Sequence, residues 1–244
     1  MIPIKDTVLR STYPFATLAI IALNFAIFGL QLLLPERDQN AFMYLFGLVP
    51  ARYSHPLWAK LAGLPLDTYW PFVTNLFLHG GWFHIIGNMW FLYLFGDNVE
   101  DRLGHFRFIS FYLLAGVAAN IVFFLVERNS TMPVIGASGA IAGVMAAYLR
   151  LFPRARIVTL IPILFFPFFF EVPAVLFMGF WFLMQIFSGA VSLTVAGDGG
   201  GIAWWAHIGG FAVGYLLIKP LCSRMLGGCH RDRLSQYRYS DSAD

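Results

Sequence analysis

The sequence predicts an all-α membrane protein, a polytopic bundle of six transmembrane helices with an interfacial first external loop. Three observations predict it. The 244-residue chain is 59% hydrophobic and 18% aromatic but only 12% charged, with a mean hydropathy of +0.69. A soluble domain carries about twice that share of charge. The apolar residues fall in blocks near the roughly 20 residues needed to cross about 30 Å of hydrocarbon. The Lys and Arg side chains gather between those blocks, mostly on one predicted side. A soluble globule, a disordered chain and a disulfide scaffold are excluded, the last because there are only two cysteines. The net charge of +3 is not a nucleic-acid signal, because the basic residues form no single face.

The first block, Pro14 to Leu34, is free of charge. It is too long for a secretory h-region and no small-residue cleavage site follows, so it reads as a retained span. The second, about Gly81 to Gly96, is shorter and wetter, with His84 and Asn88 inside it. The third runs from Phe106 to Val126. The fourth, about Ile135 to Phe152, is dominated by Gly, Ala and Ser. The fifth runs from about Pro173 to Val195 and the last from about Ile202 to Ile218. Ile157 to Phe170 is apolar too, but Pro162, Pro167 and Pro173 punctuate it and it is too short to span comfortably. It reads as an interfacial or re-entrant segment leading into the fifth span. A seventh helix is the alternative.

With a cytoplasmic N-terminus, 12 of the 16 Lys and Arg lie inside. The positive-inside rule therefore favours six spans with both termini cytoplasmic. A seventh span would put the C-terminal arginines outside. Residues 1–13 form a cytoplasmic N-terminus, 14–220 the core and 221–244 a polar cytoplasmic tail. Cys222 and Cys229 fall on the cytoplasmic side, where reduced thiols are expected. The long first external loop holds Trp58, Tyr69, Trp70, Phe72 and Phe77, a composition suited to the interface. Gly197 to Gly201, with Asp198 as a loop acid, joins the last two spans outside and suits the flank of a gate.

Polar groups inside spans are costly and mark function by default. Here they are His84, Asn88, Ser138 and His207. Ser138 and His207 each lie 12 residues before a cytoplasmic basic residue, Arg150 and Lys219, which is about 18 Å of helix. Asn88 is 12 residues before Glu100 on the same side, with His84 one turn higher. All four side chains are thus expected in one layer. Gly139 and Gly143 in the fourth span, and Gly210 and Gly214 in the sixth, let two helix backbones approach closely. That approach would bring Ser138 towards His207.

A serine hydroxyl is a weak nucleophile until a base such as imidazole takes its proton. Attack on an amide then creates an oxyanion, for which an Asn amide and a His N–H are suitable donors. Gly136-Ala137-Ser138-Gly139 places the serine at the mouth of a helix, beside unpaired backbone N–H groups. These are the parts for acyl transfer, most naturally amide hydrolysis.

These residues resemble the rhomboid intramembrane serine proteases. Gly136-Ala137-Ser138-Gly139 is similar to that family's Gly-x-Ser-Gly motif, and His84-Ile85-Ile86-Gly87-Asn88 to its His-x-x-x-Asn motif. Ala206-His207-Ile208-Gly209-Gly210, followed by Gly214, resembles its general-base motif, and the likeness covers about Pro14 to Leu221. The resemblance implies a Ser138–His207 catalytic dyad, oxyanion stabilisation by His84 and Asn88, and cleavage of single-span membrane proteins in the bilayer without metal or cofactor. His79 matches a further histidine, as a water or structural site. Ala142 stands where some members carry an aromatic that stacks on the base, so another group must orient His207, with Trp204 or Trp205 as candidates. Trp70-Pro71 stands where some have Trp-Arg.

Other protease chemistries fit poorly, because the sequence has neither a His-Glu-x-x-His motif nor a pair of intramembrane aspartates. A catalytically silent relative that binds transmembrane helices for quality control needs the fold but not the dyad. A transporter would want paired charges or symmetric broken helices at the midplane. With the short N-terminus, the lack of a targeting peptide and the compact six-span core, the resemblance implies a prokaryotic plasma membrane.

Overall fold

The computed structural model describes residues 2–163, 166–192, 203–222 and 229. The expectations for Gly197 to Gly201 and for most of the polar tail lie outside these residues.

Each of the six apolar blocks is occupied by a long helix. These are α1 (Phe15–Leu33), α6 (Trp82–Leu103), α7 (His105–Val126), α8 (Ser138–Leu151), α9 (Ala174–Ser192) and α10 (Trp204–Leu221). Four short helices fill the first loop: α2 (Glu36–Phe46), α3 (Ala51–Ser54), α4 (Pro56–Leu61) and α5 (Pro71–Thr74). Among the described residues α1, α7 and α9 are long and apolar enough to cross a membrane, and α8 is apolar but shorter.

The helix α8 lies at the centre, packed against α6, α7, α9 and α10, and every residue from Gly139 to Tyr148 is buried. Its Gly and Ala residues let neighbouring backbones approach closely, and Ile141, Val144, Met145 and Tyr148 fill the space between them. At its foot, α6 holds the start of α1. The Glu100 carboxylate accepts the N–H groups of Ala16 and Thr17 at 2.8 and 2.7 Å and the Thr17 hydroxyl at 2.6 Å. A carboxylate there satisfies orphan donors and the positive end of the helix.

The all-helical expectation needs one correction. Residues Arg156–Ile163 and Phe166–Pro173 form strands β2 and β3 of an antiparallel hairpin, not a seventh helix. A third strand, β1 (Ile2–Asp6), pairs antiparallel with β2, giving the order β1-β2-β3. Prolines and β-branched residues disfavour helix here. Pro162 and Pro167 face each other near the hairpin's turn, where fewer ladder donors are needed. A second correction concerns the cysteines. Cys222 and Cys229 are joined by a disulfide, their Cα atoms 4.5 Å apart, in place of the expected reduced thiols. A separation of seven residues at the end of α10 lets the two meet.

The first loop is organised by a buried cation. The Arg52 guanidinium donates to the carbonyls of Pro65 (2.6 Å) and Leu45 (3.3 Å) and to the Thr68 hydroxyl. It also lies 5.9 Å from the centre of the Trp70 ring. The arginine beside Trp70 therefore comes from α3 rather than from position 71, where Pro71 opens α5.

Candidate active site

Ser138 is the first residue of α8, and the turn before it demands glycine. Gly136 has φ +120°, and a Cβ there would sit 2.7 Å from His84 Nε2. The first loop clamps this turn from behind. Gly136 N–H donates to the Asn75 carbonyl at 2.8 Å, and Leu48 and Val134 exchange backbone hydrogen bonds of 2.8 and 3.0 Å. Asn75 is fixed in turn by reciprocal amide bonds with Asn120 of α7 at 3.0 and 2.8 Å.

The contact between α8 and α10 is backbone on backbone. A Cβ at Gly210 would run into the Gly139 carbonyl oxygen, and one at Gly214 into that of Gly143. Any side chain at either step would force the helices apart. His207 lies one turn before Gly210 on the same face of α10, and the close crossing carries it to Ser138.

The Ser138 hydroxyl and His207 Nε2 are 2.7 Å apart. On the other side of the ring, Nδ1 lies 2.8 Å from Gln185 Oε1 of α9. The Gln185 amide is itself oriented, because its Nε2 donates to the Trp181 carbonyl at 3.3 Å. An amide oxygen can only accept, so Nδ1 carries the proton and Nε2 presents a lone pair to the serine. The Trp181 ring lies 5.9 Å from the imidazole at an interplanar angle of 36°, and Trp204 meets it edge-on at 6.2 Å. The aromatic neighbour missing at Ala142 is thus supplied from α9. Trp204 touches the imidazole as expected, whereas Trp205 packs beside Gly189 of α9.

His84 and Asn88 stand across the cavity. Gly80 N–H donates to His84 Nδ1 at 3.4 Å, which leaves His84 Nε2 as an N–H aimed past Gly136. Asn88 Nδ2 spends one hydrogen on the His84 carbonyl at 2.9 Å and keeps the other. Ser138, His207, His84 and Asn88 all line one cavity of about 840 Å³, with Trp204, Trp205 and Glu127 at its walls. The arrangement can move a proton from hydroxyl to imidazole and offer N–H donors to a nascent oxyanion. His79 lies outside that lining. Its ring is buried 5.1 Å from the His84 ring and meets no side-chain hydrogen-bond partner among the described residues, and its backbone exchanges 3.2 Å bonds with Gln31 of α1. Among the described residues no group of three His, Cys, Asp or Glu could hold a metal ion.

The comparison with known proteins gives the family. The Rhomboid domain model matches residues 66–224, more than half of the chain. The chain belongs to the rhomboid family. Rhomboid-like protein 11, chloroplastic, of Arabidopsis thaliana is 44% identical over 79 residues, covering 32% of this chain and 28% of that protein. The Bacillus subtilis (strain 168) rhomboid YdcA is 33% identical over 115 residues, covering 45% and 57%. The human presenilin-associated rhomboid-like protein, mitochondrial, is 36% identical over 89 residues, covering 36% and 24%. The chain therefore spans from about a quarter to somewhat over half the length of these relatives. It is a mostly helical rhomboid membrane protein.

Two residues of the site escape sequence reasoning, Gln185 and Trp181. A signal is present, because Gln185 is the one amide side chain in the fifth apolar block and stands one turn after a tryptophan.

Proposed function

We propose that this rhomboid is an intramembrane serine endopeptidase that cleaves peptide bonds in or near the transmembrane segments of single-span membrane proteins. The observation that carries the reading is the 2.7 Å contact between Ser138 Oγ and His207 Nε2 in a cavity shared with His84 and Asn88.

In this mechanism His207 Nε2 takes the hydroxyl proton as Ser138 Oγ attacks the scissile carbonyl carbon. The carbonyl oxygen becomes an oxyanion held by Asn88 Nδ2, His84 Nε2 and the Ser138 N–H. Protonated His207 then gives its proton to the leaving amine as the C–N bond breaks. Water, deprotonated by neutral His207, attacks the acyl-enzyme, and Ser138 leaves with that proton. No metal or cofactor is needed for any step.

The membrane arrangement is part of the same proposal. Helices α1 and α6 to α10 are the six spans, with both termini cytoplasmic. The sheet supports this. Because β1 pairs with β2, the N-terminal segment and the α8–α9 connection lie on one side of the bilayer. Four of the six spans separate them, an even number, as the pairing requires. The substrate helix enters laterally between α6 and α9, and its end unwinds into the cavity. The membrane we favour is a prokaryotic plasma membrane; one relative is from Bacillus subtilis, and those from Arabidopsis thaliana and human are named chloroplastic and mitochondrial.

The test is cleavage of a single-span substrate in liposomes, wild type beside Ser138→Ala, together with labelling by a fluorophosphonate probe. Loss of both signals in the variant is expected. A wild type that neither cleaves nor labels would leave a helix-binding protein without catalysis.

A further inference from the structure

The groups that orient His207 come from α9. Gln185 and Trp181 stand four residues apart, on one face of that helix, and both meet the imidazole. Yet α9 is the most exposed of the three clearly apolar helices. Of its most apolar stretch 28% is buried, against 39% for α7 and 33% for α1. Phe180, Leu183 and Phe187 all face outwards. Its seat on α10 is a short series of contacts: Phe182 stacked on Phe211 at 4.4 Å, Trp181 near Phe211 at 6.1 Å, and Gly189 against Trp204, Trp205 and Ile208.

Resting on the reading of this site as a serine protease, we propose that Gln185 is a positioning residue for the base, and that the Ser138–His207 pair is competent only while α9 is seated on α10. Displacing α9 removes the acceptor from Nδ1. The imidazole is then free to turn and to take the other tautomer, which puts N–H rather than a lone pair towards Ser138. The helix that flanks lateral entry thereby also reports its position to the catalytic base. Substrate can enter past a displaced α9, but chemistry waits until α9 returns.

The surroundings of His207 make the test readable. It faces Ser138 from α8, Trp181 and Gln185 from α9, Trp204 from its own helix, and the titratable His84 of α6. The helix α7 presents Ala119 and Val122 to the glycines of α10, and Glu127 at its end lines the shared cavity. No carboxylate contacts the imidazole among the described residues, so introducing one at 185 should be visible.

The experiment uses the full chain in detergent and liposomes, reading the rate of fluorophosphonate labelling of Ser138 and the kcat and KM for a single-span substrate. Gln185→Ala is expected to slow labelling by about tenfold or more and to lower kcat with KM little changed, by analogy with loss of the correct tautomer in other serine proteases. Gln185→Glu is expected to recover the rate and to move the acid limb of the pH profile upwards, because a carboxylate favours the imidazolium. Phe182→Ala, which loosens the seat without touching His207, should slow labelling too, and the double variant with Gln185→Ala should be no slower than the slower single. Phe180→Ala on the outer face should label as wild type. Thermal unfolding of each variant separates lost fold from lost positioning. Wild-type labelling with Gln185→Ala equally fast, or an unmoved pH profile in Gln185→Glu, would overturn the positioning role. Multiplying losses in the double variant would overturn the coupling to α9. A wild type that never labels would instead bring down the protease reading, and this inference with it.

Discussion

The helices α8 and α9 approach the same imidazole from opposite sides and are built on opposite plans. On α8 every residue from Gly139 to Tyr148 is buried, and its seam with α10 is backbone against backbone at Gly139–Gly210 and Gly143–Gly214. On α9 only Ala174, Phe177, Met178, Gln185 and Gly189 are buried, and the rest of its surface is half-buried or exposed. The first sets the distance between hydroxyl and base by steric closeness that nothing can relax. The second sets the tilt and tautomer of the base through one hydrogen bond and one ring contact. Distance is thus held by backbone packed on backbone, and orientation by the side chains of a half-exposed helix.

The largest effect should fall on the α8 side. Ser138→Ala is expected to reduce cleavage at least about 10⁴-fold, read as product formation in liposomes. Residual turnover within tenfold of wild type would place the nucleophile elsewhere. Next comes Asn88→Ala, expected to lower kcat by about 10²-fold or less, since His84 and the Ser138 N–H remain. An unchanged kcat would remove Asn88 from the oxyanion site.

A pair of glycine substitutions tests the packing contrast itself. Gly210→Ala drives a Cβ into the Gly139 carbonyl oxygen, and overpacking of that kind costs about 1–3 kcal/mol or more. Gly179→Ala on α9 meets nothing within 4 Å and should be neutral or gain up to about 1 kcal/mol in helix propensity. Unfolding in detergent measures both, and equal effects would break the comparison.

The smallest effect concerns the foot of the bundle. Burial pushes the Asp6 carboxyl up to about 6, against the opposing hydrogen bond from Tyr148. The folded state therefore holds this proton more tightly than the unfolded chain. The resulting stabilisation is complete below about pH 4 and is lost as pH rises through about 6. Asp6→Asn should flatten this part of the stability profile by less than about 1 kcal/mol, because the group is partly exposed. A wild-type profile that already coincides with that of the variant would show Asp6 to titrate normally.

How far the sequence carries this picture depends on range. Ser138, His207 and the glycines between them are legible because helical spacing and depth are local arithmetic. Gln185 does not stand out, because an amide in an apolar helix has no partner visible in one dimension. The strand at 156–163 is hidden because its partners include residues 2–6, more than 150 positions away, and its prolines suggest only an interruption. Arg52 likewise answers a long-range need, a cation beside Trp70 supplied from another segment of the loop.

That distant pairing has a consequence for biosynthesis. Residues 2–6 leave the ribosome before α1, but their partner strand emerges only after α1, α6, α7 and α8 have been made. The early segment must wait through the making of these four long helices with its backbone donors and acceptors unpaired by β2. Formation of the β1–β2 ladder is then a late event that marks these four long helices as delivered to their places, and it ties residues 2–6 to the connection from which α9 departs.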